Sequence, residues 1–438
     1  MKFGTDGIRG FANQELTATL AMKIGTALAS TFTPEENHKV VIGKDTRISG
    51  DMLVSALISG LCSSGIDVIN LGTIPTPAIS YLTEKYKASA GIAVSASHNP
   101  SEYNGIKIFN SAGYKLSDDL EHIIEDKIND PNFAVSAKKV GQILAGYTPI
   151  EDYINHLLYA INTDLTGLNV LIDCANGAAT TTAPVLFSRL GCNYTIINAN
   201  PNGLNINENC GSTHIDTLNV ENYDCIIAYD GDADRCIMKD NKGNIIDGDI
   251  ELAILGNHME QNHKLENNII VGTVMSNLGL IKYCKDNHIK FIATKVGDKY
   301  VLEEMLKQNS TLGGEQSGHI IQSNYAKTGD GELTSIKILE IMKKNNKSLE
   351  ELSKIITKYP QVLINIKVDN DKKNDFKTDT YIQKEIEIIS NTLGNNGRVL
   401  VRASGTEPLI RIMVEGSNER IIKAYASDLG TKIQNRLK

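Results

Sequence analysis

No run of eighteen apolar residues occurs anywhere in the sequence, which excludes a membrane-spanning helix of ordinary length. The first ten residues, MKFGTDGIRG, lack the apolar stretch of a secretory signal, so a cytoplasmic location is expected. The seven cysteines are odd in number and include no CxxC pair, which argues against a disulfide framework and against a thiolate zinc site. Most are expected to be small buried hydrophobes. No Lys/Arg-rich run offsets the net charge of −8, so nucleic acid and membrane surfaces are not expected partners. With 36 Gly and 10 Pro in 438 residues, collagen-like and low-complexity classes are excluded. The P-loop pattern GxxxxGK[ST] is also missing, which removes the simplest ATP-dependent kinase reading.

What is present reads as a soluble globular chain, and about 150 residues per domain gives roughly three domains. Three stretches read as buried strands that open a unit: KVVIG (39–43), LNVLID (168–173) and NIIVG (268–272). Each is followed by apolar residues at helical spacing: Leu53, Val54, Leu57, Ile58 and Leu61; then Val185, Leu186 and Leu190; then Leu278, Ile281 and Cys284. Second strands follow at 66–70, 194–197 and 289–293, the spacing of a βαβ unit. Third strands, 91–95, 225–229 and 312–314, run straight into the polar strings SASHNP, DGDADR and GEQSGH. The pattern predicts a threefold structural repeat whose strand ends face one cleft. After Tyr359-Pro360 it changes to a strand (361–368), a polar stretch, a helix, two strands around SGTEP (404–408) and a terminal amphipathic helix. A smaller α+β fourth domain is expected there, giving domains at 1–148, 149–250, 251–362 and 363–438.

In the second string, Asp230, Asp232 and Asp234 alternate after an apolar strand, so their carboxylates can converge on one hard cation, magnesium first. An EF-hand is excluded, because that loop wants Gly sixth and Glu twelfth where Arg235 and Asn241 stand. Ser97 follows a buried strand and precedes an Asn-Pro turn, which holds its hydroxyl in the open. It sits in no GxSxG elbow, and the adjacent His98 is poorly placed by sequence to be its base, so acyl transfer is not favoured. A phosphorylated Ser97 suits the string better, since it would lend an oxygen to a cation held by the three aspartates. Glu315, Ser317 and His319 alternate, as needed to read sugar hydroxyls. Arg402, Ser404, Gly405 and Thr406, with Arg411 beyond, combine the groups of a phosphate cradle. Arg9 and Lys107 are candidates for charge compensation or for proton transfer at the transferring oxygen.

Taken in order, FGTDGIRG, SASHNP, NGIKIF, DGDADR, GEQSGH and RASGTEP resemble the α-D-phosphohexomutase superfamily over essentially the whole chain. GKDTRISG (43–50), NINENCGSTH (205–214) and VGDKYV (296–301) look most like its glucosamine-phosphate branch. The resemblance implies a four-domain, heart-shaped α/β fold with three related mixed-sheet domains and a smaller α+β C-terminal domain. It implies interconversion of glucosamine 6-phosphate and glucosamine 1-phosphate through a phosphoserine and a 1,6-bisphosphate, on the bacterial route to UDP-N-acetylglucosamine and the cell wall. A phosphomannomutase or phosphoglucomutase is the alternative. By motif, Ser97 corresponds to the phosphoserine. Asp230, Asp232 and Asp234, with phospho-Ser97, correspond to the ligands of one Mg2+. Arg235, Glu315, Ser317, His319, Arg402, Ser404, Gly405, Thr406 and Arg411 fall at substrate-binding positions, and Arg9, Lys107 and His319 at positions associated with catalysis. A 1,6-bisphosphate of glucose or glucosamine is the implied primer, and a homodimer the implied assembly. One departure is Lys299, where many members of this branch carry Arg.

Overall fold

A computed structural model describes the chain except residues 1, 5, 34–37, 135–136, 405–407 and 438. Two compact units are present: residues 1–276 with 284–355, and residues 277–283 with 356–438. Among the described residues no helix is long and apolar enough to cross a membrane.

The first unit contains three sheets built on one plan. In the first, Lys39–Lys44 lies between Asp67–Thr73 and Ala90–Val94, all parallel, and Tyr103–Asn110 runs antiparallel beside Ala90–Val94. In the second, Asn169–Asp173 lies between Asn193–Ile197 and Cys225–Tyr229, with Cys236–Asp240 antiparallel to the last. In the third, Ile269–Thr273 lies between Lys290–Thr294 and Leu312–Gly314, with Ile320–Gln322 antiparallel. Further strands extend the first sheet to six and the second to five. The strands Ala90–Val94, Cys225–Tyr229 and Ile269–Thr273 are buried throughout, which is why they read as continuous apolar runs: both faces of a central parallel strand are covered. The edge strands Asn193–Ile197 and Lys290–Thr294 keep exposed positions.

The helical spacing after each first strand also forms helices, over Ser49–Ser63, Ala183–Ser188 and Leu278–Asp286. Leu53, Val54, Leu57 and Leu61 are buried as the first stripe requires. In the second copy Leu190 falls beyond the helix end. In the third, Leu280, Tyr283 and Cys284 are the buried face, so the stripe is rotated by a residue or two from Leu278 and Ile281. The repeat therefore exists in topology, and each polar string is the connection from the third strand to its antiparallel neighbour.

The second unit holds a three-stranded antiparallel sheet in the order Gln361–Lys367, Leu409–Gly416, Gly397–Ala403. Helices Thr380–Leu393 and Glu419–Arg436 pack with it around Ile366, Ile410, Ile412, Val414, Ile422, Leu429 and Ile433.

Candidate active site

The string after Tyr229 turns sharply because Ala233 takes a left-handed φ of 55°. Ligand oxygens of Asp230, Asp232 and Asp234 then lie within 4.8 Å of one another, and all three residues are buried. Asp232 Oδ1 and Asp234 Oδ1 are buried with no hydrogen-bond partner. Such oxygens are costly unless something positive meets them. Burial, together with Asp234 and Asp232, pushes the Asp230 carboxyl up to about 8, so the cluster strains against its own charge. Convergent carboxylate oxygens, two of them orphaned, fit a hard divalent cation.

Ser97 comes from the first sheet and meets this cluster from outside it. Contrary to the expectation of an open hydroxyl, the residue is fully buried; it has φ 51°, and its hydroxyl donates to Asp230 Oδ2 at 2.5 Å, because the turn aims it into the carboxylate cluster rather than at solvent. Its N–H donates to Ser95 Oγ at 2.9 Å, and Ser95 Oγ donates in turn to Asp45 Oδ2 at 2.7 Å. Gly231 is required for the encounter: a Cβ there would stand 2.6 Å from the Ser97 carbonyl oxygen. His98, which the sequence reading set aside, places Nδ1 3.3 Å from Ser97 Oγ. Burial, Arg235 and Arg9 push that ring down to about 4, so it is neutral near pH 7.

Around the carboxylates the charges alternate. Lys107 Nζ is 2.9 Å from Asp232, 3.1 Å from Asp6 and 3.2 Å from Asp234. Thr76 Oγ1 donates to Asp232 Oδ2 at 2.7 Å. Asp6 also pairs with Arg9 and, at 2.6 Å, with Lys115, which reaches on to Asp298. Burial raises the Asp234 carboxyl, but Lys107 and His319 outweigh it and hold it well below the usual range. His319 closes the circle, with Nδ1 3.6 Å from Asp234 and Nε2 3.5 Å from Asp298. The Gly329 N–H donates to Nε2 at 2.9 Å, which fixes a neutral ring with its proton on Nδ1. Burial opposes the charged ring, but Asp234 and Asp298 outweigh burial and raise its proton affinity; the N–H aimed at Nε2 favours the neutral tautomer.

Arg235 stays near the cluster, its N–H donating to Asp230 Oδ1 at 3.2 Å, while its Nε is buried without a hydrogen-bond partner. Glu315 accepts from the Gly297 N–H at 3.0 Å, and its own N–H donates to the His319 carbonyl at 3.1 Å. Ser317 lies half-buried in the same turn. The Lys299 ammonium pairs with Asp118 and, at 2.9 Å, with Glu121.

In the second unit, Arg402 and Arg411 are direct cross-strand partners. Burial and Arg411 lower the Arg402 pKa, and Arg402 Nε is buried without a hydrogen-bond partner. Ser404 is buried and its N–H donates to the Leu409 carbonyl at 2.8 Å. Two guanidinium groups set opposite repel, which is the arrangement an oxyanion relieves. Gly405 and Thr406 lie outside the described residues.

The sequence reading missed Asp6, Thr76, Lys115 and Asp298. Asp6 stands beside Arg9 in the TDGIRG string and Asp298 in VGDKYV, so both lay in singled-out segments without a local sign of their partners.

Comparison with known proteins matches the chain to four domain families of one enzyme group. They are the phosphoglucomutase/phosphomannomutase alpha/beta/alpha domains I (residues 1–135), II (151–243) and III (247–359) and the C-terminal domain (363–431). The chain belongs to the phosphoglucomutase/phosphomannomutase family of phosphohexomutases. Its full-length relatives place it with one branch of that family, the phosphoglucosamine mutases. The enzyme of that name from Clostridium acetobutylicum is 49% identical over 99% of both chains. That from Clostridium botulinum is 50% identical over 100% of this chain and 99% of the relative. Among solved structures, a phosphoglucomutase/phosphomannomutase family protein from Burkholderia thailandensis matches with TM-score 0.84 at 22% identity, covering 98% of this chain and 97% of that one. Aspergillus fumigatus N-acetylphosphoglucosamine mutase, solved in complex with GlcNAc-6P and magnesium, matches with TM-score 0.73 at 16% identity, covering 100% and 96%. These two likenesses establish the shared fold.

Proposed function

We propose that the protein interconverts glucosamine 6-phosphate and glucosamine 1-phosphate, with Ser97 carrying the phosphoryl group. The observation that carries this reading is the Ser97 hydroxyl on Asp230, inside a buried cluster of three carboxylates. The full-length likeness to phosphoglucosamine mutases supports the amino sugar as substrate.

In the forward step the bond from phosphorus to Ser97 Oγ breaks and one to the free sugar hydroxyl forms, giving a 1,6-bisphosphate. The sugar hydroxyl gives up its proton and Ser97 Oγ gains one; the second step returns the other phosphoryl group to Ser97, and the serine proton is balanced by one taken up at the sugar oxygen that is freed. A bisphosphate of glucose or glucosamine would prime the serine. Asp230, Asp232 and Asp234, with an oxygen of phospho-Ser97, would hold Mg2+, which supplies charge neutralisation when bound. Burial opposes the charge on Lys107, but Asp232, Asp234 and Asp6 keep its proton affinity well above the ordinary amine range; Lys107 and Arg9 therefore act as fixed positive charge at the transferring group. Glu315, Ser317 and His319 would read the sugar hydroxyls. Arg402, Ser404, Gly405, Thr406 and Arg411 would grip the phosphate that is not reacting, and Arg235 would add charge beside the cluster.

The test is a coupled assay on glucosamine 6-phosphate combined with intact-protein mass spectrometry. Wild type exposed to glucose 1,6-bisphosphate should gain one phosphate and turn over, and Ser97→Ala should do neither. Nearly unchanged turnover by primed Ser97→Ala would overturn the carrier role. kcat/KM on mannose and glucose phosphates, set against glucosamine 6-phosphate, decides between this branch and the phosphomannomutase/phosphoglucomutase alternative.

A further inference from the structure

Two segments singled out in the sequence, GKDTRISG (43–50) and NINENCGSTH (205–214), supply none of the groups in the proposed chemistry. The fold nevertheless brings one side chain from each onto the same two backbone oxygens. Arg47 Nη2 donates to the carbonyl of Ser97 at 2.9 Å and to that of Asn99 at 2.8 Å. Asn207 Nδ2 donates to the same two carbonyls at 2.9 and 3.1 Å. Arg47 is 1% exposed. Its other donors reach the Pro100 carbonyl, the Tyr103 carbonyl at 3.1 Å and Asp45 at 2.8 Å. Asn207 is anchored in turn, its N–H donating to the Ala175 carbonyl at 2.9 Å.

We propose that Arg47 and Asn207 are positioning residues that clamp the Ser97 loop from two sides, keeping its backbone left-handed and its hydroxyl on Asp230. The inference rests on the phosphoryl-carrier reading of Ser97. A serine with φ 51° persists only where its surroundings over-determine it. Here they do. Each of the two carbonyl oxygens has both lone-pair directions taken by N–H donors from distant parts of the chain, so the loop cannot slide past Asp230 without giving up several bonds. The clamp is also in contact with the carboxylate string, since a Cβ on Gly231 would lie 2.9 Å from Asn207 Nδ2 as well as against the Ser97 carbonyl. The chemistry explains why the hold must be firm. Ser97 alternates between a neutral hydroxyl and a phosphate of nearly two negative charges beside three carboxylates, and the loop must keep one register in both states. Arg suits the task because its planar fork serves several carbonyls at once, where Lys offers a single point.

Asn207→Ala and Asn207→Asp provide the test, with Arg47→Lys as a third variant. The readouts are kcat and KM on glucosamine 6-phosphate, the 31P resonance of phospho-Ser97, hydrogen exchange of residues 95–102 and the thermal midpoint. Asn207→Ala should lower kcat about tenfold with KM changed by no more than about twofold, since a small misplacement of the reacting group costs rate rather than affinity. Asn207→Asp should lose more. It keeps the shape but presents oxygen to two carbonyl oxygens, so both donor bonds are lost and repulsion replaces them. Arg47→Lys should keep the charge and still lose kcat. All three should shift the 31P resonance and speed exchange across 95–102. Folded Asn207 variants with wild-type kcat, 31P signal and exchange would overturn the clamp. If wild type itself neither takes up phosphate nor turns over, the carrier reading fails, and the exchange measurement still judges the clamp by itself.

Discussion

Lys107 is 1% exposed and faces Asp6, Asp232 and Asp234 at once. Replacing it by Met keeps the apolar stem and removes the charge, leaving the buried Asp232 and Asp234 and the half-buried Asp6 without their shared ammonium. Breaking such a buried pair costs roughly 3–5 kcal/mol, so Lys107→Met should lose that much stability in denaturant unfolding and nearly all turnover. Added Mg2+ should recover part of the stability, because a cation on the cluster replaces the missing charge. A variant as stable as wild type without metal would show that the ammonium is not what balances the cluster. The three aspartates were legible in the sequence, since alternate carboxylates after an apolar strand leave few other readings. Asp6, Thr76, Lys115 and Asp298 were not, because each acts through a partner far along the chain, such as Lys115 on Asp298 or Thr76 on Asp232. Arg47 and Asn207 stood in noted segments, but a donor to a backbone carbonyl leaves no residue pattern to read.

The helix Gly331–Asn345 shows the same division among elements. Its N-cap follows a local rule, with Asp330 accepting from the Leu333 N–H at 2.9 Å as an Asp before a helical run does, although this helix is not among the elements expected from the sequence. Its packing follows no such rule, because nearly every face is buried and no single stripe marks a partner. Glu340, 1% exposed, joins this helix to the chain after Ala160. It pairs with Lys337 at 2.5 Å and Lys344 at 2.9 Å and accepts from the Asn162 N–H at 3.2 Å. Burial would raise its carboxyl, but these partners prevail and hold it at about 2 against an ordinary 4.5. A carboxyl depressed in the folded state adds stability that is present above the unfolded pKa and is lost as pH falls toward the folded one. Between about pH 5 and 2, wild type should therefore lose on the order of 3 kcal/mol through this group. Glu340→Gln should be less stable at pH 7 and show a flatter acid limb in unfolding midpoints taken across that range. Parallel acid limbs in the two proteins would rule the group out as a source of acid sensitivity.

On the scale of the whole molecule, the threefold plan was readable because each copy ends its third strand in a polar string. The connections at 95–102, 230–235 and 315–319 occupy the same place in their three sheets. The second unit has a core of its own and carries the paired arginines, so its part in function should be separable from that of the carboxylate cluster. Arg402 and Arg411 face each other across two strands, and burial with Arg411 already lowers the Arg402 pKa. Removing one of two facing guanidinium groups removes a repulsion, so Arg402→Ala should leave stability unchanged or slightly raised. With inorganic phosphate the order should reverse: wild type gains thermal stability as ligand binding to the folded state requires, and the variant gains much less. For glucosamine 6-phosphate, KM should rise about ten- to hundredfold, the loss expected of one charge-assisted phosphate contact. Mg2+ affinity by calorimetry should not move, because the carboxylates that would hold the ion lie in the other unit. An unchanged KM, or a Mg2+ affinity that falls with it, would show that the two units do not divide phosphate grip from metal chemistry in this way.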